Sequence, residues 1–416
     1  MSYLGATLTT RQKSELEKAI LDYLQMQGYS KSFQEFQIES GNQDFQPSEN
    51  DRHHNLLAKK WTSVIRLQKK IIELESKMEE CEEQLKTVGS RKGERSNEYL
   101  PQQTEHIQLS QHKGPITRVV FHPSYLVLAT ASEDMTIKIW DAETGEYERT
   151  LKGHTKSVQD IAFDPKGQYL VSCSSDLTIR IWDVQNEYKN IRTLYGHDHS
   201  VSSVCFMGPD RIVSASRDKS IKIWELSSGY CTKTIVGHAE WVRRASVSED
   251  NRLLVTCSND QSVRVWDGNT GECRLDLRGH ENVVECAEFV PSNCYSSIAN
   301  LLGLDPKIQP NTTPGRYVLS CSRDKLIKLW DSSGQPVHTF VGHDNWVRSL
   351  VFHPSGHFFL SVSDDKRLKV WDLKTGRCVR TIDAASHFVT TVAFCPIAPL
   401  LATGSVDTNA TVWQCK

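Results

Sequence analysis

Serine, histidine and aspartate recur together along this 416-residue chain, at spacings that could assemble a nucleophile, a base and an orienting carboxylate. Seven aspartates, Asp134, Asp176, Asp218, Asp260, Asp324, Asp365 and Asp407, each follow a serine by two residues: Ser132, Ser174, Ser216, Ser258, Ser322, Ser363 and Ser405. His112, His154, His197, His238 and His343 lie 21 or 22 residues before five of these aspartates. His280 keeps its place after Gly279, with an insertion of about 22 residues separating it from Asp324. A nucleophile needs to be singular and reachable. A set repeated seven times argues for structure instead, and no Ser or Cys out of register has a base beside it. The 12 cysteines include no Cys-x-x-Cys and no Cys/His cluster at zinc spacing, so no metal or cofactor is called for. Cys173, Cys257 and Cys321 sit inside apolar strands where other repeats carry Ala131, Ala215, Val362 or Gly404, and read as small core residues.

The elements that position these residues follow from a longer repeat. Each of the seven aspartates precedes a tryptophan by six: Trp140, Trp182, Trp224, Trp266, Trp330, Trp371 and Trp413. The aspartates step by 42, 42, 42, 64, 41 and 42 residues, the long step holding the insertion near 291–313. Between the marks, runs such as Ile137-Lys138-Ile139-Trp140 and Leu368-Lys369-Val370-Trp371 alternate with period two, the pattern of short strands. Each repeat supplies about four of them. Seven copies with Gly-His and Trp marks resemble the WD-repeat family over residues 105–416. The fold class this implies is mainly β: a seven-bladed WD-repeat β-propeller, preceded by an α-helical dimerisation motif and a coiled coil. The resemblance also implies that Trp, Ser, His and Asp form a hydrogen-bond chain inside each blade. Only Gln-Cys-Lys follows Trp413, so the last repeat lacks its fourth strand, and Glu105–Leu109 is expected to supply it and close the ring. Counting 22 residues back from Asp407 lands on Ala385, so no such chain is expected in the seventh blade.

Ahead of the propeller, residues 9 to about 26 read as a helix, with Thr9 as its cap, Gly28 as its end and Leu16, Ala19, Ile20, Tyr23 and Leu24 on one face. Ser30 is expected to cap a second helix bearing Phe33 and Phe36. So short a pair cannot bury its own core and should dimerise. With Gly28-Tyr29, the pattern resembles the Lis-homology dimerisation motif and assigns it to residues 7–39. Leu57, Val64, Ile71, Met78 and Leu85 fall seven apart, with Lys60, Leu67, Leu74 and Cys81 between them, which predicts a coiled coil over 56–86. Lys70 and Lys77 at g face Glu75 and Glu82 at the following e positions, the arrangement of a parallel dimer. Residues 87–104 are polar, with Gly89, Gly93 and Pro101, and read as a linker.

A formal net charge of −2 gives no bulk field for nucleic acid or anionic lipid, and no apolar run of 18 or more suggests membrane insertion. A charge-driven partner must therefore be read by a local patch. In a WD-repeat propeller the Gly-His loops and Ser-x-Asp turns share one face. On that face x is Glu133, Ser175, Arg217, Asn259, Arg323, Asp364 and Val406, and the inner strands open with Thr117, Gln159, Ser202, Arg243, Glu285, Arg348 and Thr390. Trp241 and Trp346, the propeller's two tryptophans outside the blade signature, stand three residues after a Gly-His. Arg217, Trp241, Arg243, Arg323, Trp346, Arg348 and Lys366 thus form a basic and aromatic arc over repeats three to six, while repeats one and two have no base at either position. Arg and Trp are the residues most enriched at binding hot spots.

Lis-homology motif, coiled coil and seven WD repeats, in that order and with Trp61-Thr62-Ser63-Val64-Ile65-Arg66-Leu67 between, resemble the lissencephaly/nuclear-distribution family. The resemblance implies a homodimeric, non-catalytic regulator of cytoplasmic dynein, acting in nuclear migration, spindle positioning and mitosis. It implies residence in the cytoplasm, at microtubule plus ends, centrosome and spindle. It also implies further partners: nuclear-distribution E-type coiled-coil proteins and, in animals, acetylhydrolase catalytic subunits. The family's dynein motor-domain contact is expected at Arg217, Arg243, Arg323, Trp346 and Lys366, supported by Trp241 and Arg348. A WD-repeat substrate receptor of a ubiquitin ligase is the competing reading, and no F-box-like segment is present to favour it.

Overall fold

The structure is a computed structural model that describes residues 10–42, 45, 57, 99–303 and 313–416. The chain forms two units, Met1–Ser96 and Asn97–Lys416. The expected coiled coil, the Thr9 cap, most of the linker and part of the insertion lie outside the described residues.

In the first unit, helix α1 spans Thr10–Met26 and helix α2 spans Ser30–Glu39. Gly28 ends α1 as expected: its φ is +78°, and Tyr29 N–H reaches back to the Leu24 carbonyl at 2.9 Å. Glycine adopts this left-handed conformation without a steric penalty. Ser30 does not cap α2. Tyr29 occupies the cap position, with no side-chain cap bond, and Ser30 is the first helical residue. On α1 the buried residues are Ala19, Leu21 and Asp22, whereas Leu16 and Tyr23 from the expected apolar face remain 42% exposed. No residue of α2 is buried.

The second unit contains seven four-stranded antiparallel sheets. Blades 1 to 6 take their strands in sequence order, and their innermost strands touch in turn until Ile116–Phe121 meets Val389–Phe394. The alternation works as the repeat requires: one face of each strand packs against the next blade. All seven signature tryptophans are at most 3% exposed, and Cys173, Cys257 and Cys321 are fully buried. The seventh sheet runs Val389–Phe394, Leu400–Ser405, Ala410–Cys415 and, outermost, Pro101–Leu109. Ile107 pairs with Val412, so the N-terminal strand closes the ring and covers an edge that would otherwise stand unpaired.

That strand begins at Pro101, inside the segment expected to be linker up to 104. Leu100 and Lys416 exchange backbone hydrogen bonds of 3.1 and 3.2 Å. His353 Nε2 meets the Tyr99 carbonyl at 2.9 Å and Arg380 Nη1 meets that of Pro101 at 2.8 Å. The last two contacts come from blade 6, more than 250 residues away, and no local pattern announces them.

The insertion lies between the first two strands of blade 5. It folds into a short turn at Ser292–Cys294 and helix α3, Tyr295–Leu301. Cys294, Tyr295 and Ile298 join the core between blades 5 and 6. Ser297 Oγ donates to the Gly356 carbonyl at 3.1 Å. The described part is therefore a packed element of the propeller.

Candidate partner-binding face

Six blades contain the same buried chain. In blade 2, Trp182 Nε1–H donates to Ser172 Oγ at 2.9 Å, His154 Nε2 meets that oxygen at 2.7 Å, and His154 Nδ1 meets Asp176 Oδ2 at 2.8 Å. With the imidazole neutral, Nδ1–H donates to the carboxylate and Nε2 accepts the hydroxyl proton. The connectivity is that of a catalytic triad. The hydroxyl, however, is closed to solvent and accepts the indole N–H, so it is not poised for attack.

The participating hydroxyl differs from the expected one. It stands four residues before the aspartate: Thr130, Ser172, Ser214, Thr256, Ser320 and Ser361. The invariant serine two residues before has another role. Ser132 Oγ donates to the Gly114 carbonyl at 2.9 Å and accepts Asp134 N–H at 3.1 Å, stapling the Gly-His loop to the Ser-x-Asp turn. Ser405 does the same in blade 7. There the chain is half kept: Trp413 still donates to Thr403 at 2.9 Å, but no histidine bridges Thr403 to Asp407.

Burial pushes the carboxyls of Asp134, Asp176, Asp218 and Asp260 up. Hydrogen bonds from histidine, from a hydroxyl and from backbone N–H outweigh it and hold them well below the usual carboxylate range. Burial likewise raises Asp324 and Asp365, and histidine and backbone N–H, without a hydroxyl, lower them. The residue after each aspartate adopts a left-handed backbone, with φ between 67° and 73° in all seven blades. All seven are non-glycine residues in a turn that the Asp side chain and the Ser staple hold in place, and Lys366 is one of them.

The first strand of every blade carries a β-bulge at one position: Thr117, Gln159, Ser202, Arg243, Glu285, Arg348 and Thr390. A bulge re-aims the extra side chain. Here it allows Arg243 and Arg244, adjacent in sequence, to serve different environments. Arg243 faces the channel mouth with Glu285, while Arg244 runs deeper to pair with Glu288 at 2.7 Å.

The structure brings six of the seven expected residues into two linked clusters. Arg217 lies over the Trp241 ring, 4.9 Å from its centroid, with Arg243 at 6.0 Å. Arg323 lies over Trp346 at 4.2 Å, with Arg348 at 5.0 Å. Such stacking holds a guanidinium plane in place while leaving donors at its edge. Lys366 is exposed on the blade-6 turn, two residues after Asp364, and makes no ion pair or ring contact with the other six among the described residues.

Three acceptors were not singled out from sequence. Glu285 Oε1 accepts from Arg323 Nε at 2.5 Å and from Arg348 Nη1 at 3.4 Å, and its Oε2 is 4.0 Å from Arg243. Asp364 takes Arg348 in two parallel bonds of 2.8 and 2.7 Å, and Asn259 accepts from Arg243 at 2.6 Å. Burial pushes the Arg348 guanidinium down, but Asp364 and Glu285 more than reverse it. Burial also lowers Arg243, Glu285 offsets part of that, and the neighbouring arginines lower it further. Three of the five cations, Arg243, Arg323 and Arg348, thus share two carboxylates, Arg217 and Lys366 add charge beside them, and the arc keeps a positive excess. Below them the channel mouth, about 460 Å³, contains a second ion pair, Arg118 with Asp160 at 3.1 Å. Among the described residues, no group of three or more His, Cys, Asp or Glu could hold a metal ion, and no helix is long and apolar enough to cross a membrane.

Fold and face together define a WD-repeat β-propeller protein with an N-terminal Lis-homology motif. The PAC1 LisH domain family matches residues 10–45, and the WD domain, G-beta repeat family matches seven segments from 103–141 to 376–414. The chain is 46% identical over 411 residues to a nuclear distribution protein PAC1 of Coccidioides posadasii, covering 94% of this chain and 87% of the relative. It is 45% identical over 413 residues to that of Gibberella zeae, covering 94% and 89%. It is 42% identical over 456 aligned positions to that of Fusarium vanettenii, covering 99% and 100%. The chain belongs to the PAC1 family of nuclear distribution proteins.

Proposed function

We propose that this chain is a homodimeric, non-catalytic scaffold in nuclear distribution that binds and regulates cytoplasmic dynein, with the arginine–tryptophan arc as its contact on the motor domain. One observation carries the reading: two Arg–Trp stacks, from blades 3 and 4 and from blades 5 and 6, sit on one side of one face and are tied together through Glu285. Stacked guanidiniums present fixed donors to carboxylates, and the tryptophans offer apolar area beside them. Relatives named for nuclear distribution support the pathway. Work on that pathway would keep the protein in the cytoplasm on microtubule-linked assemblies, alongside coiled-coil nuclear-distribution partners. Dimerisation through the first unit is supported by the exposure of Leu16, Tyr23, Met26, Tyr29 and Ile38 on helices too few to cover them.

The test is a titration of a purified dynein motor domain onto the full-length protein at rising salt, with light scattering on both the protein and its 100–416 fragment. Saturable binding that weakens with salt, a dimer for the full chain and a monomer for the fragment are expected. Absence of motor binding at low salt, or a monomeric full chain at micromolar concentration, contradicts the reading.

A further inference from the structure

Blade 7 departs from the other six at two positions, and the departures open a pocket of about 290 Å³ lined by Ala385, Ser386, Asp407, Thr411, Trp413 and His106 among others. The first is Ala385. The loops Asp383–Val389 and Val341–Val347 have the same length, so Ala385 stands where His343 stands in blade 6. The second is Thr411, two residues before the tryptophan. The other six blades place a lysine or arginine there. In blades 4 and 5 it reaches over the indole to the carbonyl before the histidine, Arg264 to Gly237 at 2.9 Å and Lys328 to Gly279 at 2.8 Å.

What lines the pocket in blade 7 is the carboxylate and the indole of the site, while the hydroxyl, Thr403, is buried and outside the lining. Trp413 donates to Thr403 at 2.9 Å, as its counterparts do. Asp407 holds its turn through Asn409 N–H at 3.1 Å, and its other carboxylate oxygen accepts from Ser386 Oγ at 2.7 Å, where the other blades offer a histidine nitrogen. His106 lies beside the indole, ring centroids 5.2 Å apart, and is itself exposed, as is Asp383 on the rim, so the pocket opens to solvent.

We propose that this pocket is a binding site for an imidazole group, supplied by a histidine side chain of a protein partner that docks at the seam where the ring is closed. The molecule itself provides six copies of the bound pose: one ring nitrogen 2.6–2.8 Å from the carboxylate, the other 2.7–2.8 Å from the hydroxyl. In blade 7 the ring would take Asp407 from Ser386 and lie against Trp413. Asp407 favours a ligand able to carry positive charge, while Asp383 on the rim is already paired with Arg367 at 3.5 Å. Occupancy would give Asp407 the ring nitrogen that its counterparts have and stabilise the seam by linkage.

Thermal melts of the full-length protein with free imidazole and with acetyl-histidine-amide test the site. Both are expected to raise Tm saturably. Ala385→His is expected to raise Tm without ligand and to abolish the response, because the ring is then built in. Asp407→Asn is expected to weaken the response and remains informative if the histidine variant does not fold. A response that is absent, or equal in wild type and Ala385→His, or unchanged in Asp407→Asn, overturns the proposal. So does a response to imidazole but not to the capped histidine, since no partner side chain could then enter.

Discussion

Blades 1 and 6 hold the same buried chain, Trp140–Thr130–His112–Asp134 and Trp371–Ser361–His343–Asp365, with every link between 2.7 and 2.9 Å. Both carry the bulge on the first strand and the left-handed residue after the aspartate. They differ in what the bulge presents. Thr117 turns its hydroxyl to the Val158 carbonyl of the next blade at 2.8 Å, as Thr390 does to Ile116 and Ser202 to Val242. Arg348 instead turns toward the channel mouth to Asp364, Glu285 and Trp346. A hydroxyl at this position seals the seam between blades, whereas Arg243, Glu285 and Arg348 build the face. The scaffold and the proposed binding face are thus written in different residues of one repeat. Changes to one should leave the other nearly intact.

The largest expected effect lies wholly in the scaffold. A chain starting at residue 111 lacks the Pro101–Leu109 strand and exposes the Ala410–Cys415 edge, so its propeller should fail to melt cooperatively, while a chain starting at residue 87 should melt like the full-length protein. Equal melting of the two truncations would break the closure account.

Next come the histidines. His112→Ala and His343→Ala each leave a buried hydroxyl and a carboxylate without their shared partner, at a cost of about 1–3 kcal/mol. The costs should be similar although one blade carries the arc and the other does not. Denaturant melts with unchanged m-values would show it, and a loss at His343 several times that at His112 would mean the arc and scaffold are coupled.

Acid should act on the scaffold in a graded way. The six chain aspartates have lowered pKa values in the folded state, so the unfolded chain binds protons more readily. Their contribution is present in full above the unfolded value near about 4 and is lost as pH falls below it. Asp324→Asn should make the acid limb of stability against pH shallower. A stability independent of pH between about 5 and 2 would contradict the role of these carboxylates.

Much of the scaffold was legible in sequence because a period of about 42 residues recurs along the chain, and because a turn of fixed length sets the six-residue step from Asp to Trp. The participating hydroxyl was not. Residues two and four before the aspartate point to the same side of a strand, so spacing cannot choose between them. The position two before is always serine and draws attention, whereas the one that bonds the tryptophan alternates between Ser and Thr. The arc's members were legible because bulge and turn recur in register. Glu285 appears in the same register, but its role as the shared acceptor of three arginines is a matter of side-chain reach across blades 4, 5 and 6. The start of the closing strand depended on His353 and Arg380, more than 250 residues away.

The separation of face from scaffold is tested most directly by motor-domain affinity in two matched variants. One replaces Arg217, Arg243, Arg323, Trp346 and Lys366 with Ala, and the other replaces Thr117 and Gln159 with Ala on the opposite side of the same face. The first should lose at least about tenfold in affinity, or about 1.4 kcal/mol, and most of its salt dependence, with dimerisation retained and Tm nearly unchanged. The second should bind as the wild type does, with a small loss of Tm from the Thr117 seam. A folded five-residue variant that binds the motor with unchanged affinity, or equal losses in both variants, would contradict the account.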